Sequence, residues 1–199
     1  LNCQIVGFNN GAELVYSDKS PSSKDTNNKF QNNLFKYGST GISWSGAGTG
    51  SDLETGTQIL NNVFSDQTNK AIELKYQTSA DVIGNQIINN LSYSNFTGIY
   101  CYYCPDFFKI DRNKISLTNA GDNSHGIRLL NCTGISNNPS LISNNFIHIN
   151  TVYFSMGIDI VGSNKNFYNN SINFTGNSPT SIGFNLIAGF RYNIKNNIF

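Results

Sequence analysis

The chain has 199 residues, a formal net charge of +1 and only 13% charged residues. Low charge without a basic cluster excludes a nucleic-acid footprint. No apolar run approaches the roughly 18 residues of a membrane span, and the length suffices for one domain with a continuous core.

Two short patterns alternate along the chain. The first element, Gly11-Ala12-Glu13-Leu14, reads as small residue, apolar, any, apolar. The second, Asn33-Leu34-Phe35, reads as asparagine, any, large apolar, with apolar Phe30 three residues before the asparagine. Gly41-Ile42-Ser43-Trp44 repeats the small-residue pattern loosely, and a Gly/Ser/Thr-rich insertion runs from Ser45 to Gly56. Asn62-Val63-Phe64 follows with Ile59 before it, then Ala71-Ile72-Glu73-Leu74, then Asn85-Gln86-Ile87 with Val82 before it. Gly98-Ile99-Tyr100-Cys101 precedes Asn113-Lys114-Ile115 and its Ile110. Gly126-Ile127-Arg128-Leu129 leads into a second insertion, Asn131 to Pro139. Asn145-Phe146-Ile147 with Ile142, Gly157-Ile158-Asp159-Ile160, Asn170-Ser171-Ile172 with Phe167, Gly183-Phe184-Asn185-Leu186 and Asn197-Ile198-Phe199 with Ile194 complete the series. The asparagines recur at intervals of 23 to 32 residues, the sign of stacked repeats. Within the anchors the period is two, which predicts short strands with one buried face. The insertions predict loops leaving a regular coil. A single repeat cannot bury its own apolar face and must stack on its neighbours.

The combination resembles the right-handed parallel β-helix family, the pectate-lyase-like or copper-periplasmic-like repeat proteins. The resemblance implies an all-β solenoid of about seven coils, each of about three short strands, with an inward asparagine ladder at one bend. Neither end of the pattern carries a polar cap. Residues 1–199 are therefore expected to be a single β-helix domain, cut at both ends from a longer solenoid.

Four cysteines are present. Cys101 and Cys104 form a C-x-x-C without a second pair, so no metal set is expected. Cys104 is six residues after Gly98 and Cys132 six after Gly126, which stacks them on adjacent coils as a disulfide or as reduced thiols. Cys101 reads as core. Five N-x-S/T sequons, at Asn90, Asn95, Asn131, Asn169 and Asn173, are expected by chance in so asparagine-rich a chain.

The second position after each small residue defines an outward column: Glu13, Ser43, Glu73, Tyr100, Arg128, Asp159 and Asn185. Such a row matches an extended glycan. Glu13 and Glu73 would lie two coils apart, about 9.6 Å, at the upper limit for an inverting carboxylate pair. A solvated column with an Arg128–Asp159 surface pair is the alternative. Ser124-His125-Gly126 is similar to the Gly-His-Gly of polygalacturonase-type hydrolases. The paired aspartates and Arg-Ile-Lys element of those enzymes are absent, so His125 reads as a packing residue. Asp106, Asp111 and Arg112 form no recognisable metal set. Phe30, Phe35, Phe64, Phe167 and Phe174 read as core, whereas Trp44, Tyr100, Tyr102 and Tyr103 are candidates for an exposed, sugar-stacking patch.

The expected function is a non-catalytic, structural, adhesive or glycan-binding module of a secreted or cell-surface bacterial protein. Its partners would be polysaccharide or other surface and secretion proteins, with no cofactor. One alternative is a polysaccharide lyase or glycoside hydrolase, with Glu13, Glu73, Asp159 and His125 as candidate catalytic groups. Another is a carrier or accessory domain of an outer-membrane secretion system. The binding row would comprise Tyr100, Tyr102, Tyr103, Arg128, Asp159 and Asn185.

Overall fold

A computed structural model describes residues 3–17 and 24–199. The chain winds as a parallel β-solenoid, and 21 of the 23 strands among the described residues fall into three sheets of seven strands each. Every coil visits the sheets in the same order. The first sheet runs from Gln4–Val6 to Ser171–Thr175, and the third from Lys29–Gln31 to Tyr192–Lys195. The second comprises Glu13–Tyr16, Thr40–Ser45, Lys70–Lys75, Thr97–Tyr102, Ser124–Leu130, Ser155–Val161 and Ile182–Ala188. Only one helical turn is present among the described residues, the 3-10 segment Gly50–Asp52 in the first insertion. No helix among them is long and apolar enough to cross a membrane.

Both anchors find their register in the stack. Phe35, Phe64, Ile87, Ile115, Ile147 and Ile172 form one inward column. Ile59, Val82, Ile110, Ile142 and Phe167 form a second on the third sheet. On the second sheet Ile42, Ile72, Ile99, Ile127 and Ile158 stack beside Trp44, Leu74, Cys101, Leu129 and Ile160. These columns are the core, and nearly every member is fully buried. Each such side chain contributes about 1.5–3 kcal/mol of hydrophobic stabilisation. Trp44 is therefore not part of an exposed patch: it belongs to an inward column and packs edge-on against Phe30 at 5.1 Å.

The inward asparagines form a continuous ladder between the third and first sheets. The Asn113 backbone N–H and Nδ2 both donate to Asn145 Oδ1 at 3.0 Å, and Nδ2 also donates to the Val82 carbonyl at 2.8 Å. Asn62, Asn85, Asn145 and Asn170 repeat the arrangement. In the first coil Cys3 occupies the ladder place, its N–H donating to Asn33 Oδ1. The residue before each ladder asparagine turns the corner in the left-handed region. Asn32, Asn61, Gly84, Arg112, Asn144, Asn169 and Asn196 all have φ between 53° and 69°. The Asn-Asn pairs thus divide the labour, one residue for the turn and the next for the ladder.

The small residue of the second anchor has a packing reason. A Cβ at Gly126 would come within 2.6 Å of the Ile147 side chain and of the Gly157 carbonyl, and Gly41, Gly98 and Gly157 are equally crowded. The small residue and the isoleucine after it both face the core, so the alternation breaks there. Residues three apart consequently share the outer face, such as Lys70 with Glu73 and His125 with Arg128.

Both insertions leave at the corner between the second and third sheets, in the second and fifth coils. The first returns as Glu54–Thr55, which pairs with Gln77–Thr78. Buried Glu54 there accepts from Gln77 Nε2 at 3.0 Å, and Thr57 donates to Gln77 Oε1 at 2.7 Å.

Candidate functional site

The outer face of the second sheet carries a row of side chains in register. The pairs Ser43–Glu73, Glu73–Tyr100, Tyr100–Arg128, Arg128–Asp159 and Asp159–Asn185 each join adjacent coils. Glu13 is not in this row. It pairs with Thr40, and the place beside Ser43 belongs to Tyr16. Counting from Gly11 put the first anchor three residues early, because Ala12 and Leu14 happen to satisfy the pattern. The Glu13–Glu73 carboxylate pair therefore does not form.

Nor is the row simply solvated. Glu73 is 5% exposed and Asp159 fully buried. The Glu73 carboxylate is held by Lys75 at 2.9 Å, Lys70 at 3.2 Å and the Ser43 hydroxyl at 3.0 Å. Burial pushes its pKa up, but the Lys75 hydrogen bond, the two lysine charges and Ser43 outweigh that and leave it below the ordinary value. Lys70 also lies over the Tyr100 ring, 5.3 Å from its centroid.

Three coils beyond Glu73, Asp159 accepts from Arg128 Nε at 3.1 Å and from Asn185 Nδ2 at 2.9 Å. His125 Nε2 stands 3.6 Å from the same carboxylate. The imidazole is 1% exposed, and among the described residues neither ring nitrogen has a hydrogen-bond partner. Burial and the Arg128 charge lower its pKa to about 4 against the opposing pull of Asp159, so the ring is neutral. Its column is Thr97, His125, Met156 and Ile182.

Tyr102 and Tyr103 flank the row at the end of the Thr97–Tyr102 strand, with a third ring that the pattern did not single out, Tyr76. The centroids are 5.7 Å apart for Tyr76 and Tyr102, 5.8 Å for Tyr76 and Tyr103, and 6.2 Å for Tyr102 and Tyr103. A signal for Tyr76 was available, since it follows Ala71 by five residues as Tyr103 follows Gly98.

Cys104 and Cys132 are neighbours, with the Cys104 N–H donating to Cys132 Sγ at 3.4 Å, but they are not bridged. Each thiol caps turn carbonyls instead: Cys132 donates to Cys101 and Leu130 oxygens, Cys104 to those of Leu74 and Tyr102. Burial pushes both thiols well above their ordinary value, which suits them to this neutral role. In the sixth coil Lys165 caps the same corner. It is fully buried and donates to the Cys132 and Ser163 carbonyls. Burial lowers its pKa to about 8. Nothing in the repeat pattern marks it, because a lysine at a strand end reads as solvent-facing.

On the third sheet Asp111 accepts from Ser143 at 2.7 Å and Asn144 at 2.8 Å, with Lys109 and Arg112 beside it. This set clamps the Asn144 turn. Among the described residues no group of three or more His, Cys, Asp or Glu side chains is placed to hold a metal ion.

No protein-family model, curated protein or solved structure matches the chain.

Proposed function

We propose that the chain is a non-catalytic β-helix module of a secreted or cell-surface bacterial protein, and that it binds glycan along the outer face of its second sheet. The observation that carries this reading is the row from Glu73 through Tyr100, Arg128 and Asp159 to Asn185, set at coil spacing and flanked by a tyrosine cluster. The row's partly exposed members, Tyr100, Arg128 and Asn185, offer a ring face and hydrogen bonds to an extended chain of sugars, and the buried Glu73 and Asp159 hold the cations beside them in place. The family reading, a right-handed pectate-lyase-like or copper-periplasmic-like β-helix, rests on the asparagine ladder and the three parallel sheets.

The distances favour binding over hydrolysis. Glu73 and Asp159 are the carboxylates of the row, and three coil steps separate them, about 14 Å. Paired glycosidase carboxylates lie within about 9.5 Å. Glu73 is moreover held as a carboxylate by two lysines, which disfavours it as a proton donor.

Affinity electrophoresis against pectate, alginate and neutral plant and algal glycans tests the proposal. Retardation without release of reducing or unsaturated ends is expected. Release of such ends, lost in Glu73→Gln or Asp159→Asn, would refute the non-catalytic half. Free migration through every glycan would refute binding.

A further inference from the structure

The corner between the second and third sheets has tyrosine where the neighbouring coils have asparagine or glycine. Tyr76 and Tyr103 stand five residues after Ala71 and Gly98, the places held by Asn131 and Gly162 in the next two coils. All four are left-handed, with φ of 51°, 52°, 55° and 132°. Asparagine and glycine tolerate that region, whereas a bulky ring there is an outlier. Two such outliers in adjacent coils, when the next coil solves the same turn with asparagine, point to a task for the rings themselves.

Their surroundings define the task. Tyr103 is 38% exposed, and Tyr76 and Tyr102 are half-buried against it. The insertions leave this corner in the second and fifth coils, so the rings occupy the two coils between them. The cations of the adjoining face are already engaged: Lys70 and Lys75 with Glu73, and Arg128 with Asp159. An anionic chain would compete with Glu73 and Asp159 for these cations, whereas a neutral one leaves the pairs intact.

Building on the glycan reading, we propose that Tyr76, Tyr102 and Tyr103 form a sugar-stacking subsite, and that its ligand is a neutral glycan, not a uronate chain. Pyranoses with equatorial substituents present flat C–H faces to phenol rings, and no counter-charge is needed.

The test is titration calorimetry with β-linked glucose, xylose and mannose oligosaccharides, and with galacturonate and mannuronate oligosaccharides. Wild type is compared with the Tyr76→Asn/Tyr103→Asn double variant. Asparagine already serves this turn at Asn131, so the variant should fold, and circular dichroism checks that it does. The expected result is binding of a neutral oligosaccharide that is insensitive to salt and weakened about tenfold or more in the double variant. Salt-sensitive binding of the uronates alone would overturn the neutral-ligand inference and leave the glycan reading standing. Neutral binding unchanged in the double variant would overturn the subsite. Binding of none of the sugars would overturn both.

Discussion

The two corners that flank the third sheet solve the same problem in opposite ways. At the corner after it, all seven coils use the same device, a left-handed residue followed by a ladder asparagine. At the corner before it, the chemistry changes from coil to coil. Gln77, Cys104, Cys132 and Lys165 cap the turn from inside, tyrosine, asparagine and glycine turn it outside, and both insertions leave there. Where the repeat is uniform, stacking alone accounts for each residue. Where it departs from uniformity, a residue needs its own explanation, and the candidate site adjoins that second corner.

The uniform corner should be the less tolerant one. Asn113→Ala leaves the Val82 carbonyl and the two donors of Asn85 without their partner, and Asn145 Oδ1 with only the backbone N–H of residue 113. The loss should be about 3 kcal/mol or more in chemical denaturation. Lys114→Ala, one residue later and exposed, should stay within about 0.5 kcal/mol. Equal losses would break the comparison at its root.

The outer face adds a pH dependence that the ladder lacks. His125 has a folded-state pKa near 4 against 6.5 as the ordinary value. Above pH 6.5 the ring is neutral in both states. As the pH falls from 6.5 towards 4, the unfolded chain takes up a proton that the folded chain refuses, so stability is lost across that window. At 1.36 kcal/mol per pKa unit the loss approaches about 3 kcal/mol. His125→Gln should flatten the profile between those limits. Midpoints of denaturation measured across the window check this, and a variant that retains the wild-type slope would place its origin elsewhere.

The variable corner should yield less to a single truncation. Cys132→Ala removes a weak thiol donor and a small buried volume, for about 1 kcal/mol, against three times as much at Asn113. A loss matching that of Asn113→Ala would make the two corners equivalent.

This asymmetry also explains how far the sequence could be read. The fold was legible because the ladder and the inward columns impose the same residue types in every coil. The Glu73-to-Asn185 row was legible for the same reason, since it is fixed by distance from the small residue. Glu13 was misplaced because the first coil satisfies the pattern in a false register. Lys70 was missed because period-two reasoning turns it inward, and the break in alternation at Ala71 is a three-dimensional crowding effect. Lys165 and Tyr76 belong to the variable corner, where no repeat constrains the residue type. The burial of Asp159 and His125 on an outward face depends on neighbours two and three residues away in adjoining coils, which a single strand pattern does not encode.

The smallest effect separates the two corners by sign. Left-handed Arg112 at the uniform corner and left-handed Tyr76 and Tyr103 at the variable one all occupy turns that other coils make with asparagine or glycine. A non-glycine residue held there stores about 1 kcal/mol or more, and asparagine relieves part of it. Arg112→Asn should therefore stabilise by about 0.5 kcal/mol, because its ion pair with Asp111 is exposed on the arginine side and contributes little. It should leave glycan binding untouched. Tyr76→Asn and Tyr103→Asn should each stabilise by a similar amount, reduced by the ring contacts they give up, but at the expense of binding. The pairing matters more than the magnitudes. If the tyrosines are retained for a ligand, relief of strain and loss of affinity must arrive together at the variable corner and come apart at the uniform one. Denaturation midpoints and titrations on the same three variants decide this. Tyrosine variants that lose stability as well as affinity would show the rings to be packing elements of the corner.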